Sequence, residues 1–178
     1  MKIIALYNIK GGVGKTAASV NLAYLAAKDK VPTLLCDLDP QGSTSFYFRI
    51  RPQKKFNSSK LLQGGRKLEK NIRGTDFDYL DLIPSDFSFR NLDVLLNDLK
   101  KSKRQLKNIF SQLENEYEYI FIDCPPNITL VSENIFYAAD FLIVPMIPTT
   151  LSVLAFNKLL DFFRKAEIDS SKIYSFFS

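Results

Sequence analysis

The chain has no histidine and only two cysteines. Zinc sites, histidine-based catalytic triads and histidine proton shuttles are thereby excluded. Cys36 and Cys124 both stand inside apolar, strand-like runs. They are expected as buried small hydrophobes of a reduced, cytoplasmic protein rather than as a disulfide or reactive thiols. A bridging iron–sulfur cluster, which needs cysteines outside strands, is disfavoured on the same ground. No apolar run approaches the roughly 18 residues that a membrane span requires. The opening MKIIALYNIKGG carries a single lysine before its short apolar stretch and then turns into glycines, so no secretory leader is expected.

What is present is ordinary globular material: 178 residues, 46% hydrophobic and 24% charged. That is enough chain for one sizeable core and too little for two, so residues 1–178 are expected to form a single domain. Charge is informative by position. Nine basic residues and one acid, Glu69, fall between Arg49 and Arg73, a local +8. Lys100, Lys101, Lys103, Arg104 and Lys107 add +5 with no acid among them, which leaves −8 on the remainder of a chain whose total is +5. Such asymmetry marks either a surface for phosphate-rich partners or two solvated faces.

Short apolar runs alternate with longer amphipathic stretches, the pattern of a parallel sheet with helical crossovers. Strands are expected at Ile3–Tyr7, Thr33–Cys36, Tyr79–Ile83, Tyr119–Ile122, Phe141–Val144 and Ile173–Phe177; several are almost continuously apolar, as strands covered on both faces are. Thr16–Ala27 reads as a helix. Leu106, Ile109, Phe110 and Leu113 recur at helical spacing with Ser102 as a cap, and Leu151–Arg164, apolar nearly all round, is expected to be well buried. Lys103 and Arg104 would then oppose the macrodipole of their helix, which hints at an outside partner. The fold class that follows is α/β, a mostly parallel sheet with helices on both faces.

Lys10-Gly11-Gly12-Val13-Gly14-Lys15-Thr16 follows the first strand and opens the first helix. Glycines there let backbone N–H groups turn toward phosphate oxygens at a helix N-terminus. Lys15 would add a point charge for the β- and γ-phosphates, and the Thr16 hydroxyl a hard oxygen for Mg²⁺. The strict nucleotide-loop pattern has a glycine where Ile9 stands, and here Lys10 lies inside the loop. Asp37, Asp39 and Asp123 fall at the C-terminal ends of predicted strands, where open α/β sheets bind ligands. An acid there also serves as an ordinary cap or turn residue.

KGGVGKT resembles the deviant Walker A motif of the ParA/MinD family of partitioning and positioning ATPases. Two further segments match in order: Cys36–Ser43, CDLDPQGS, is similar to the family's switch I, and Tyr117–Pro126, YEYIFIDCPP, to its Walker B strand and switch II. Asp140–Pro145 also matches. The resemblance implies a P-loop NTPase fold and ATP with Mg²⁺, held by Lys10, Gly11, Gly12, Val13, Gly14, Lys15, Thr16 and Ala17. Thr16, Asp37, Asp39 and Asp123 would surround the metal, Asp123 as its indirect partner. Lys10 corresponds to the family's signature lysine, which reaches the nucleotide of a second subunit, and Asp39 to the carboxylate that orients the attacking water.

The implied activity is an ATP-dependent homodimerisation switch for plasmid or chromosome partitioning or cargo positioning. It would bind DNA non-specifically and hydrolyse ATP when a ParB-like activator stimulates it, in the cytoplasm and on the nucleoid when ATP-bound. A MinD-like membrane-associated regulator and a nucleotide-binding module without turnover are the alternatives. The first is disfavoured because Leu151–Arg164 is too uniformly apolar for an interfacial helix. Ala17 stands where the family usually has threonine. The family usually continues past the strand ending at Phe177, so a truncated chain lacking the C-terminal strands is expected.

Overall fold

The computed structural model describes residues 1–99 and 102–178. Lys100 and Lys101, two members of the second basic cluster, lie outside the described residues. Seven strands form one sheet: β1 (Lys2–Leu6), β2 (Thr33–Asp37), β3 (Arg73–Gly74), β4 (Leu80–Ile83), β5 (Tyr119–Asp123), β6 (Phe141–Met146) and β7 (Ile173–Phe177). Their order is β3-β4-β2-β5-β1-β6-β7, and every pairing is parallel except β3 with β4. The helices are α1 (Lys15–Lys28), α2 (Ser43–Tyr47), α3 (Ser58–Gln63), α4 (Gly65–Glu69), α5 (Leu92–Asn97), α6 (Gln105–Phe110), α7 (Leu130–Ala138) and α8 (Thr150–Lys165).

Alternation along the strands divides the core between the two faces. Leu6, Leu35, Leu82 and Phe121 point to one side, where Ala23 and Ala27 of α1 pack on them. Ala5, Leu34, Cys36, Ile120 and Ile122 point to the other and meet α6, α7 and α8 through residues such as Phe110, Phe136 and Phe163. All five residues of β2 are buried, which is why its sequence has no polar alternation to display. Small alanines on α1 let that helix lie close to the sheet. On the opposite face Phe136 fills the larger gap, edge-on to Tyr7 at 4.8 Å and tilted against Phe163 at 4.9 Å.

All six expected strands form, within a residue or two of their boundaries. β3 was not foreseen: two residues at an antiparallel edge carry no periodicity. Tyr79 lies outside β4 because its φ of 63° is left-handed, incompatible with a strand. The stripe Leu106, Ile109, Phe110 and Leu113 is buried as expected, but Ser102 is not its cap. A 3₁₀ turn occupies Ser102–Arg104, and α6 begins after Arg104 with no side-chain cap. Lys103 needs no outside partner, since its ammonium lies 3.0 Å from Glu133 of α7.

The larger correction concerns α8. Only Ser152, Leu159 and Phe163 are buried along it, whereas Leu151, Val153 and Leu154 are more than half exposed. One stripe of the helix reaches the core, with Phe156 and Phe162 half-buried against it, and Leu151, Val153 and Leu154 lie outside that stripe. Among the described residues β7 pairs with β6 alone, and Tyr174, Phe176 and Phe177 are exposed.

Candidate nucleotide-binding site

Parallel register brings the chemistry together at one end of the sheet. Leu6 at the end of β1 lies beside Asp123 at the end of β5, and Asp123 lies beside Asp37 at the end of β2. The loop that leaves β1 therefore emerges next to both carboxylates. Buried Asn8 shapes its first turn, donating from its amide to the Pro145 carbonyl at 2.8 Å and accepting from the Lys10 N–H at 2.8 Å. Gly12 and Gly14 take φ values of 73° and 86°, the left-handed region in which a side chain is strained. Above Gly11 and Gly12 there is open space: a Cβ added at either meets no atom within 4 Å. Val13 is turned into the core, which anchors the loop, and Gly14 precedes the first turn of α1.

Lys15 folds back along this loop with its ammonium 3.4 Å from the Lys10 carbonyl. The residue is buried, and desolvation draws its pKa down, partly offset by Asp123, Cys124 and Asp39. Lys10 turns outward instead, its ammonium 3.5 Å from the Thr149 hydroxyl at the start of α8. Asp123 is the hub beneath the loop. Its carboxylate accepts from the hydroxyls of Thr16 at 2.8 Å, Thr44 at 2.7 Å and Ser19 at 3.4 Å. Burial nevertheless raises its pKa above the usual carboxylate range.

Asp37 is fully buried, and one oxygen accepts from both the backbone N–H and the hydroxyl of Ser45, at 2.8 and 2.7 Å. Its other oxygen has no partner among the described residues. Burial, opposed by the Ser45 hydrogen bonds and aided by Asp123 and Asp39, pushes its pKa up to about 7. In protein free of metal and nucleotide, Asp37 is protonated when folded but ionised when unfolded between about pH 4 and 7, so stability falls as pH rises through that window and levels off above it. Asp37→Asn should flatten that slope. Urea melts in EDTA should find the variant gaining on wild type by on the order of 2–4 kcal/mol between pH 4 and pH 8. A difference between the two that does not change with pH contradicts this account.

Asp39 is half-buried and less committed. One of its oxygens accepts from the Gln41 N–H at 2.9 Å in an Asx turn, and its carbonyl accepts from the Ser85 hydroxyl at 2.6 Å. Ala17 is exposed and lines an apolar cleft of about 500 Å³ with Phe176 and Ser178. Among the described residues, no group of three or more His, Cys, Asp or Glu side chains is arranged to hold a metal ion by itself. The donor set still suits Mg²⁺, which prefers a hydroxyl, phosphate oxygens and waters to an all-protein cage. Thr16 offers the hydroxyl, and the unpartnered Asp37 oxygen is a polar atom that lacks the hydrogen bond its burial demands.

A family model described as an AAA domain matches residues 1–173, nearly the whole chain. The chain is 31% identical to a virulence plasmid ParA family protein of Chlamydia psittaci, over 91% of this chain and 63% of that protein. The structure superposes on a plasmid partition protein from Borrelia burgdorferi with a TM-score of 0.86 at 30% identity, covering 99% of this chain and 77% of the other. The chain belongs to the ParA/MinD family of P-loop ATPases.

A cobyrinic acid a,c-diamide synthase from Mycobacterium smegmatis, determined with an ATP analogue and magnesium, aligns at a TM-score of 0.86 and 25% identity over 98% of this chain and 72% of that one. The chain spans just under two thirds of the length of the curated relatives first matched. Within this ParA-type frame the structure gathers Gly11 through Thr16, Asp37, Asp39 and Asp123 at one sheet end. Asn8, Ser19, Thr44, Ser45, Ser85 and Thr149 were not foreseen, because isolated hydroxyl and amide residues form no pattern in a sequence. The one available signal was that several sit among strand-end or glycine residues where polar groups must be paired.

Proposed function

We propose that residues 1–178 act as one ATP-binding, ATP-hydrolysing domain whose nucleotide state controls association with a second copy. One observation carries this reading: Gly11 and Gly12 leave open space above the loop that runs into the N-terminus of a 14-residue helix, directly beside a buried lysine and a threonine hydroxyl. Amides of residues 11–16 and the ammonium of Lys15 would neutralise a triphosphate, supported by the α1 dipole. Thr16 would hold Mg²⁺, with Asp123 orienting that hydroxyl and Asp37 nearby; the metal, when bound, would neutralise developing phosphate charge. Asp39 would position the attacking water, and phosphoryl transfer asks little more of a protein than such placement.

Lys10 would supply its charge to the nucleotide of a second subunit, which makes turnover conditional on dimerisation. Its outward course toward Thr149 supports this, since the ammonium is not spent on its own loop. The cargo is a plasmid, chromosome or large assembly, and a ParB-like protein stimulates release. The basic residues from Lys54 to Arg73, none in an ion pair among the described residues, suit non-specific contact with DNA phosphates.

Sedimentation velocity with Mg-ATP and with Mg-ADP tests the switch. Wild type should dimerise with ATP alone. Lys10→Ala should stay monomeric in both while binding nucleotide within a few-fold of wild type. A variant that still dimerises with ATP removes the role assigned to Lys10.

A further inference from the structure

A second concavity, of about 510 Å³, opens beside switch I between residues 40–52 and residues 85–87. Phe46 and Phe87, at 83% and 66% exposure, both line it, two large rings brought to one concavity. Arg49 and Arg51 line it, and the Arg90 guanidinium lies 4.0 Å over the Phe87 ring. A smaller hollow, lined by Phe46, Tyr47 and Arg49, shares its flank. Arg49 takes a left-handed φ of 55° because it closes α2, its N–H bonded to the Phe46 carbonyl and the Ile50 N–H to the Ser45 carbonyl, both at 3.0 Å. No hydrogen bond or ion pair among the described residues engages the Arg49 or Arg51 guanidinium, so both charges are open to a partner.

We infer that this cleft is the docking site of an acidic segment of a protein partner, one that inserts a large apolar side chain between Phe46 and Phe87 and sets carboxylates against Arg49 and Arg51. Aromatic anchors with arginines at the margin are the chemistry of binding hot spots, and planar guanidinium groups pair carboxylates two-pronged. A nucleic acid fits less well. Duplex backbone would leave the apolar lining of Ile50 and Pro52 unfilled.

The cleft is joined to the nucleotide site. Ser85 donates its hydroxyl to the Asp39 carbonyl and its N–H to the Ser45 hydroxyl at 2.8 Å, and Ser45 donates to Asp37. An occupant that shifts residues 85–87 therefore moves the segment carrying Asp39. This regulatory half rests on the ATP-hydrolysis reading above; the docking half does not.

The probe is a short fluorescein-labelled peptide of glutamates flanking a Leu-Phe pair, titrated without nucleotide and followed by anisotropy. Saturable binding is expected, weakened about tenfold or more by Phe46→Ser and by Arg51→Ala, and lost when lysines replace the glutamates. Both positions are exposed, so circular dichroism melts should match wild type; should Phe46→Ser melt lower, Arg51→Ala alone decides. Absence of saturable binding, equal binding by both variants, or displacement by oligo-dT or a short DNA duplex at equal concentration overturns the proposal. Saturating peptide should change steady-state ATP hydrolysis at least about threefold. Bound peptide with unchanged hydrolysis overturns the coupling. A chain that binds peptide but never binds ATP overturns the nucleotide reading and leaves the docking site standing.

Discussion

Lys15→Ala should abolish measurable nucleotide binding, a loss of at least about a hundredfold in affinity by isothermal titration with Mg-ATP. The size follows from what remains. Loop amides each contribute a partial charge, but a triphosphate carries several full ones, and Lys15 is the one full positive charge the fold folds back along the loop. Burial draws its pKa down, and Asp123, Cys124 and Asp39 partly offset that pull. Lys10 cannot substitute, because it points toward Thr149. Removing Lys15 also relieves a desolvation cost, so the folded chain should be at least as stable as wild type. Nucleotide affinity within tenfold of wild type would contradict the assignment of the loop.

Asp39→Ala should separate binding from chemistry: ATP still bound within a few-fold, turnover down by about a hundredfold or more, read in steady-state phosphate release. A structural explanation competes here, since Asp39 also closes an Asx turn onto the Gln41 N–H. Asp39→Asn distinguishes the two. Asparagine keeps the turn but cannot hold a water as a carboxylate does. If Asn restores turnover, Asp39 acts only by shaping switch I; if Asn is as slow as Ala, the carboxylate itself is required. Neither substitution touches Asp37 or Asp123, whose hydrogen bonds run to Ser45, Thr16, Thr44 and Ser19.

How much of this was legible beforehand depends on the kind of signal. Runs such as Thr33–Cys36 and Tyr119–Ile122 announce buried parallel strands because both faces are covered and polar residues are excluded. The glycine loop is legible because Gly12 and Gly14 need left-handed backbone at a strand-to-helix junction. Helix α8 was misjudged for the opposite reason. Composition records that Leu151, Val153 and Leu154 are apolar, but not whether an element lies against them. Lys103 was misjudged similarly, since its compensating Glu133 is thirty residues away in sequence and on another helix. The hydroxyls around Asp123 and the Ser45–Ser85 link could not be read at all: single serines and threonines acquire meaning only once the register of β1, β2 and β5 puts them beside an acid.

The central claim is that the backbone from Gly11 to Thr16 encloses a polyphosphate. Amide proton–nitrogen NMR spectra of labelled protein, recorded during titration with Mg-ATP, test it at those atoms. The largest shifts should fall on Gly11, Gly12, Val13, Gly14, Lys15 and Thr16, with smaller ones at Asp39 and Thr44. Saturation with ATP that leaves these six amides unmoved, or moves a different segment most, contradicts the account.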